Sequence, residues 1–309
     1  MRPHGIHHVT AIAGPARRNL DFYTRVLGLR LVKKTVNFDD PGTYHFYFGD
    51  SLGQPGSLLT FFPWEHVAPG RSGIGSNQET AFRVPESALG YWAHRFIEKG
   101  VEHGTLEKRF GQRVMTFKDP DGTSLALIGV TDAVSETSWT ATEIPAEYAI
   151  QGLESVTLLV ENGAPTGAIL TDVLGFHEAA REGSLVRYKG DAAIGSTVDI
   201  RSAGGFLPGR MGGGSVHHVA FRAPDDAAQA EMVKRLAEHH GIQATEQRDR
   251  NYFRSVYFKE PNGILFEIAT DNPGFAADEP QDRLGGELKL PGFLEPRRSE
   301  IEGHLPELP

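Results

Sequence analysis

Gly5-Ile6-His7-His8-Val9-Thr10 reads directly onto Ser215-Val216-His217-His218-Val219-Ala220, and both stretches lead into a helix-like segment. The same opening, without histidine, recurs as Gly152-Leu153-Glu154-Ser155-Val156-Thr157 and runs on to Val173-Leu174-Gly175-Phe176, which mirrors Val26-Leu27-Gly28-Leu29. A further start lies at Glu79-Thr80-Ala81-Phe82-Arg83, the counterpart of His218-Val219-Ala220-Phe221-Arg222. Its far end, Asp119-Pro120-Asp121-Gly122 to Leu125-Ala126-Leu127, matches Glu260-Pro261-Asn262-Gly263 to Phe266-Glu267-Ile268. The chain is therefore four degenerate copies of a unit of roughly 55 to 60 residues, a period long enough for a folding module. The modules span residues 1–62, 79–130, 151–202 and 215–271, and residues 272–309 form a tail.

Each copy reads as strand, helix and three strands. In the first, Val9 to Ala13 alternates into a Gly14-Pro15 turn, and Leu20 to Leu27 has one apolar helical face closed by Gly28. Leu29 to Val36, Tyr44 to Phe48 and Ser57 to Phe62 then read as strands. The last copy repeats this with a helix over Gln229 to His239 and strands over Gln243 to Arg248, Phe253 to Lys259 and Ile264 to Ala269. The fold class is α+β, built of βαβββ modules. One such unit cannot close a core alone, so the modules must pair.

Alternation along a strand decides which residues share a face. Val219 and Phe221 belong under the helices, which leaves His218 facing the hollow of the sheet and puts His217 on the helix side. The first strand gives the same answer less sharply: Ile6, His8 and Thr10 face one way, towards the hollow, and His7, Val9 and Ala11 the other. Ile264, Phe266 and Ile268 form a core face, so Glu267 points into the hollow, as does Tyr257 between Val256 and Phe258. Two imidazoles and one carboxylate on one concave surface are a donor set for a mononuclear metal, with His8, His218 and Glu267 as ligands.

With these residues the chain resembles the vicinal oxygen chelate superfamily, and within it the ring-cleaving dioxygenases of the hydroquinone 1,2-dioxygenase type. The resemblance is carried by both His-His openings, by Glu267, and by Arg250-Asn251-Tyr252-Phe253-Arg254-Ser255-Val256-Tyr257-Phe258 leading to Glu260-Pro261-Asn262-Gly263. Leu288-Lys289-Leu290-Pro291 and Glu295-Pro296-Arg297-Arg298 in the tail extend it. It implies iron(II), with manganese(II) as the alternative, on His8, His218 and Glu267. It also implies supporting roles around the metal for His7, Thr10, His217, Arg250 and Tyr257, of which Tyr257 suits acid-base or hydrogen-bonding work. Arg250 has a counterpart in Arg109, so a purely structural role at the strand edge stands beside the functional one.

The other two copies act as an internal control. They carry Glu79 and Ala126, and Ser155 and Asp199, at the ligand positions, a set without histidine and poor for a second transition metal. With one ligand from the first module and two from the fourth, modules 1 and 4 should share the metal cup and modules 2 and 3 form the partner domain. Pro63 to Gln78, Ala203 to Gly214 and Thr131 to Ile150 read as joints, and Gly212-Gly213-Gly214 as a flexible linker, since a strand rather than a phosphate-cradling helix follows it.

Composition agrees with such an enzyme. The absence of cysteine removes disulfides and thiolate ligands. A formal net charge of -9 argues against nucleic acid as a partner. No apolar run approaches the ~20 residues that span a bilayer, and the N-terminus lacks a signal-like core, so a cytoplasmic enzyme is expected. The partners implied are a small aromatic substrate and O2, with a homo-oligomer admitted. The first reading is a non-haem iron(II) ring-cleaving dioxygenase acting on a hydroquinone. The alternatives are a catechol-type extradiol dioxygenase, a glyoxalase-like isomerase or thiol transferase, and a non-enzymatic binding protein. Tyr44, Phe46, Trp64, Phe206 and Phe253 are aromatics that sequence alone assigns to neither pocket nor core.

Overall fold

A computed structural model describes residues 4–131, 138–140 and 143–308. The first repeat runs β1 (Ile6–Ala13), α1 (Ala16–Asp21, prolonged by a π-helical turn Phe22–Val26), β2 (Arg30–Asn37), β3 (Asp40–Gly49) and β4 (Leu58–Pro63). The second runs β5 (Ser76–Pro85), α2 (Leu89–Lys99), β6 (His103–Arg109), β7 (Gln112–Lys118) and β8 (Ser124–Val130). The third runs β9 (Leu153–Val160), α3 (Gly163–Asp172), β10 (His177–Glu182), β11 (Leu185–Lys189) and β12 (Thr197–Ser202). The fourth runs β13 (Val216–Ala223), α4 (Asp226–His240), β14 (Arg248–Asp249), β15 (Arg254–Lys259) and β16 (Leu265–Thr270), and the tail ends in α5 (Arg298–His304).

The strands form two eight-stranded sheets, ordered β14-β15-β16-β13-β1-β4-β3-β2 and β10-β11-β12-β9-β5-β8-β7-β6. At the centre of each, two first strands pair antiparallel: β1 with β13, and β5 with β9. Each helix covers the convex face of its own sheet, where the apolar residues of the strand alternation collect. Tyr23, for example, stacks on Phe48 and Phe61, and all three lie in one continuous core with Ile6, Val9 and Phe221. Among the described residues no helix is long and apolar enough to cross a membrane.

The alternation breaks at the residues that matter. Ile6 pairs with Phe221 and His8 with Ala220, so His7 is an extra residue on β1. Thr10 pairs with His218 and Ala11 with Val216, so His217 is an extra residue on β13. Each bulge resets the parity. Ile6 and Val9, three positions apart, both enter the core, as does Val219, with the partly buried Val216 packed against it. His7 and His217 therefore lie on the hollow side with His8 and His218, which corrects the helix-side placement expected from simple alternation. The second sheet carries the same bulges at Glu154 and Gln78.

Two other expectations are corrected. Gln243 to Arg248 forms a strand only at Arg248, because the Thr245 hydroxyl takes the Tyr257 N–H in place of a backbone carbonyl. The glycine run is not a free linker, for Gly70 donates to the Gly213 carbonyl, Arg71 and Arg210 exchange backbone bonds, and Gly213 donates to Ala68. Here the glycines permit close approach. A Cβ on Gly214, which sits at φ 79°, would lie 2.2 Å from the Asp121 carbonyl oxygen. Gly214→Ala should lower unfolding free energy in urea by about 1–3 kcal/mol, the usual cost of strained backbone; an unchanged midpoint would mean that the close approach of Gly214 to the Asp121 turn does not constrain the fold. The Thr131 to Ile150 joint lies partly outside the described residues.

The tail closes the first repeat. Lys33, fully buried on β2, meets Glu279 and Asp278 (2.6 Å to Asp278), while Asp278 accepts from Tyr252 at 2.8 Å. These contacts press Phe275 against Tyr47, Tyr252 and Phe253, a small apolar cluster on the hollow side of the first sheet.

Candidate metal centre

His8 and His218 come from the two strands paired at the centre of the first sheet, and their Nε2 atoms lie 3.2 Å apart. Glu267 on β16 lies beside Ala220, two residues beyond His218. Its Oε2 is 2.9 Å from His218 Nε2 and 3.5 Å from His8 Nε2. All three residues are buried, and one donor atom from each falls within 4.8 Å of the others. The groups behind them fix their orientation. His7 Nδ1 is 2.9 Å from His8 Nδ1, and His217 Nδ1 is 2.8 Å from His218 Nδ1. If His8 and His218 carry their protons on Nδ1 and donate to these neighbours, both Nε2 lone pairs are left for a cation. The Ser255 hydroxyl donates to the other carboxylate oxygen, Glu267 Oε1.

The electrostatics fit a divalent ion. Burial would raise the Glu267 carboxyl, but His8 and His218 together hold it well below the usual carboxylate range. Burial lowers His218 despite Glu267, burial with His8 lowers His7 well below its ordinary value, and burial with His218 takes His217 to about 4. His7, His217 and His218 are thereby driven towards the neutral imidazole while Glu267 stays ionised, the protonation states that metal binding requires of such groups. Glu267 Oε2 has no aligned hydrogen-bond donor although it is buried. Such an atom is costly without a partner, and a cation among the three donors removes that cost.

A cavity of about 350 Å³ opens above the triad. Its lining is rich in aromatic rings, with His45, Tyr47, Phe62, Trp64, Phe253 and Tyr257, beside polar groups that include Asp39 and Arg250. Tyr257 stands opposite Glu267 across the β15–β16 pair, and burial with the Glu267 charge raises its phenol pKa. Arg250 donates through Nε to the Tyr257 hydroxyl at 3.2 Å and through a terminal nitrogen to Asp39 at 3.0 Å, so it ties the β2–β3 turn to the fourth repeat. Asn251, at φ 70°, makes the turn that brings Arg250 and Phe253 to the cup; asparagine tolerates that region better than most residues. Thr10 does not reach the ligands directly; its hydroxyl meets that of Thr60 at 2.8 Å.

Sequence reading did not single out His45, Tyr47, Thr60, Asp39 or Ser255. In Tyr44-His45-Phe46-Tyr47-Phe48, Tyr44, Phe46 and Phe48 fill the core and the other two face the cup. The signal was the alternation itself, hidden because both faces are aromatic. Trp64 and Phe253 line the cavity, whereas Phe206 is exposed.

The second cup is filled differently. Arg187 forks onto Asp199 at 2.8 and 2.7 Å, and Arg109 pairs with Glu79 at 2.5 Å. Guanidinium groups thus neutralise the two carboxylates that stand where ligands stand in the first cup.

Residues 5–127 and 152–268 match the family model described as the glyoxalase/bleomycin resistance protein/dioxygenase superfamily. The chain is 45% identical to the "Putative ring-cleaving dioxygenase MhqO" of Bacillus subtilis (strain 168), over 98% of this chain and 96% of that one. It is 32% identical to the "Chlorohydroquinone/hydroquinone 1,2-dioxygenase" of Sphingobium indicum, over 97% and 95%. A crystal structure of a "putative dioxygenase" from Bacillus subtilis subsp. subtilis str. 168 superposes with a TM-score of 0.95 at 43% identity, covering 100% of this chain and 98% of that one.

Proposed function

The chain belongs to the glyoxalase/bleomycin resistance protein/dioxygenase superfamily, and within it we propose that the protein is an iron(II)-dependent dioxygenase that opens the ring of a hydroquinone or substituted hydroquinone with O2. The observation that carries this is the convergence of two imidazoles and one carboxylate on the floor of an aromatic-walled cavity. Its likeness to ring-cleaving relatives over nearly the whole chain supports the same reading. In our reading modules 1 and 4 make up the metal-bearing domain and modules 2 and 3 its partner, which the strand orders support.

His8, His218 and Glu267 would hold the metal, with manganese(II) as the alternative to iron(II). These three donors would suit a ferrous ion, which would supply, when bound, the electronic link between a phenolate and O2. The protein's own groups do the rest. His7 and His217 keep the ligand rings in one tautomer. The aromatic walls hold a flat ring and exclude water. Thr10 supports the wall through Thr60. Tyr257 holds a proton on its hydroxyl, ready to be given to an oxygen that gains negative charge, and Arg250 fixes that hydroxyl and supplies positive charge beside it. Both atoms of O2 enter the product, so no external reductant is consumed.

Tyr257→Phe removes this hydroxyl without emptying volume. It should keep metal content unchanged and reduce kcat by about 10²- to 10⁴-fold; unaltered kcat across the pH range would reduce Tyr257 to a wall. The substrate class is tested by oxygen uptake with paired para- and ortho-diphenols. The proposal expects kcat/KM to favour the para-diphenols, and a wide margin for catechols would overturn it.

A further inference from the structure

The two halves of the metal cup correspond position by position. Glu267 lies beside Ala220, and Thr60 beside Thr10. Ala220 and Thr10 each follow their cup-facing histidine, His218 and His8, by the same step along the strand. One strand further out, Tyr257 stands opposite Glu267 and Tyr47 opposite Thr60. The correspondence extends to hydrogen bonds. Ser255 donates to Glu267, and His45, placed relative to Tyr47 as Ser255 is to Tyr257, has Nε2 2.9 Å from Thr60 Oγ1.

Thr60 therefore occupies the place where a second carboxylate would complete the donor set. Thr60 is buried beneath His45, and His45 and Tyr47 form the cavity wall on that side of the triad. We propose that the cavity receives the substrate ring against this wall, and that the Tyr47 hydroxyl, aligned by His45, hydrogen-bonds the hydroxyl of the substrate that lies farthest from the metal. This rests on the hydroquinone reading and adds to it the group that recognises the para position.

The chemistry of the wall suits the role. Tyr47 Oη has His45 Nδ1 as a partner at 3.0 Å. A phenol hydroxyl can donate once and accept twice, so capacity remains for a ligand. Both ring nitrogens of His45 are engaged, one by Tyr47 and one by Thr60, and Thr60 in turn meets Thr10. Each member of this chain can donate or accept, so Tyr47 can meet either sense of the substrate hydroxyl. Phe62 and Tyr47 flank the His45 ring, with centroids 4.3 and 4.1 Å away, and hold it against rotation. Tyr257 is a poorer candidate for the same task, because it lies beside Glu267 and its hydroxyl already accepts from Arg250. His45 is a positioning residue here, whereas Tyr47 touches the ligand.

The test measures binding rather than turnover. Iron-loaded protein is titrated anaerobically with hydroquinone and with phenol, which lacks the distal hydroxyl. Wild type should prefer hydroquinone. Tyr47→Phe should weaken hydroquinone about tenfold, the worth of one such hydrogen bond, and leave phenol unchanged. His45→Leu should cause the same selective loss although Tyr47 is intact. Equal weakening of both ligands, or unaltered preference in Tyr47→Phe, would overturn the proposal while leaving the hydroquinone reading in place. Should His45→Leu fail to fold, Tyr47→Phe alone decides. Wild type binding neither ligand, with iron retained, would overturn the hydroquinone reading and this proposal with it.

Discussion

Replacing His8, His218 or Glu267 with alanine is expected to strip the protein of metal and of oxygenase activity while leaving the fold in place. Each substitution removes one of the three donors that cluster there among the described residues, and the position that mirrors Glu267 is Thr60, which offers no carboxylate. Loss of Glu267 is the most severe in charge, because it leaves two neutral imidazoles to attract a dication. The fold should survive, for these side chains face the hollow and the core on the convex face does not depend on them. Removing the supporting rings is a milder change: His7→Ala or His217→Ala should weaken metal binding by about 10- to 100-fold, the range typical of groups that orient a ligand. Elemental analysis of purified variants, with circular dichroism for the fold, measures both. Full metal occupancy in any of the three ligand variants would show that the donor set is wrong.

The second large effect concerns stability and belongs to the other sheet. Arg187→Met would leave the Asp199 carboxylate fully buried without its guanidinium partner. Breaking one side of a buried pair typically costs about 3–5 kcal/mol, because the surviving charge has lost both water and counter-ion. Replacing both members, as in Arg187→Met with Asp199→Leu, should recover much of that loss. Metal content of Asp199→Leu should match wild type, since this carboxylate is occupied by arginine. Denaturant unfolding of the three variants provides the comparison. A negligible loss in the single Arg187 variant would mean that the pair is hydrated and that the second cup is not closed by ion pairing.

Much of the fold is legible in the residues because the repeat preserves the same landmarks: the first-strand opening, the glycine after the helix and the acidic turn before the last strand. Alternation also brings His218, Glu267 and Tyr257 to one surface, since no bulge interrupts the strand between the residues compared. It fails at His7 and His217, where an extra residue turns the chain. A cue was present. Ile6 and Val9, like Val216 and Val219, are apolar residues three apart around two histidines, a spacing that a regular strand cannot bury on one face. Gln243 to Arg248 misled in another way, because a side-chain hydroxyl took over the bond that would have made it a strand. The glycine run was read as freedom when its use is contact between the two joints. His45 and Tyr47 stayed hidden among aromatics, and only the pairing of strands reveals that they form a wall of the metal cup.

The central claim is that this cup inserts both atoms of O2 into a para-diphenol ring. The most direct measurement is reaction of the iron(II)-loaded protein with hydroquinone under isotopically labelled O2, with mass analysis of the product. The account predicts a ring-opened acid that carries label from both oxygen atoms, one O2 consumed per substrate, and no product from Glu267→Ala. Formation of unlabelled quinone with O2 reduced separately would contradict it, as would intact hydroquinone after incubation with the fully metal-loaded protein.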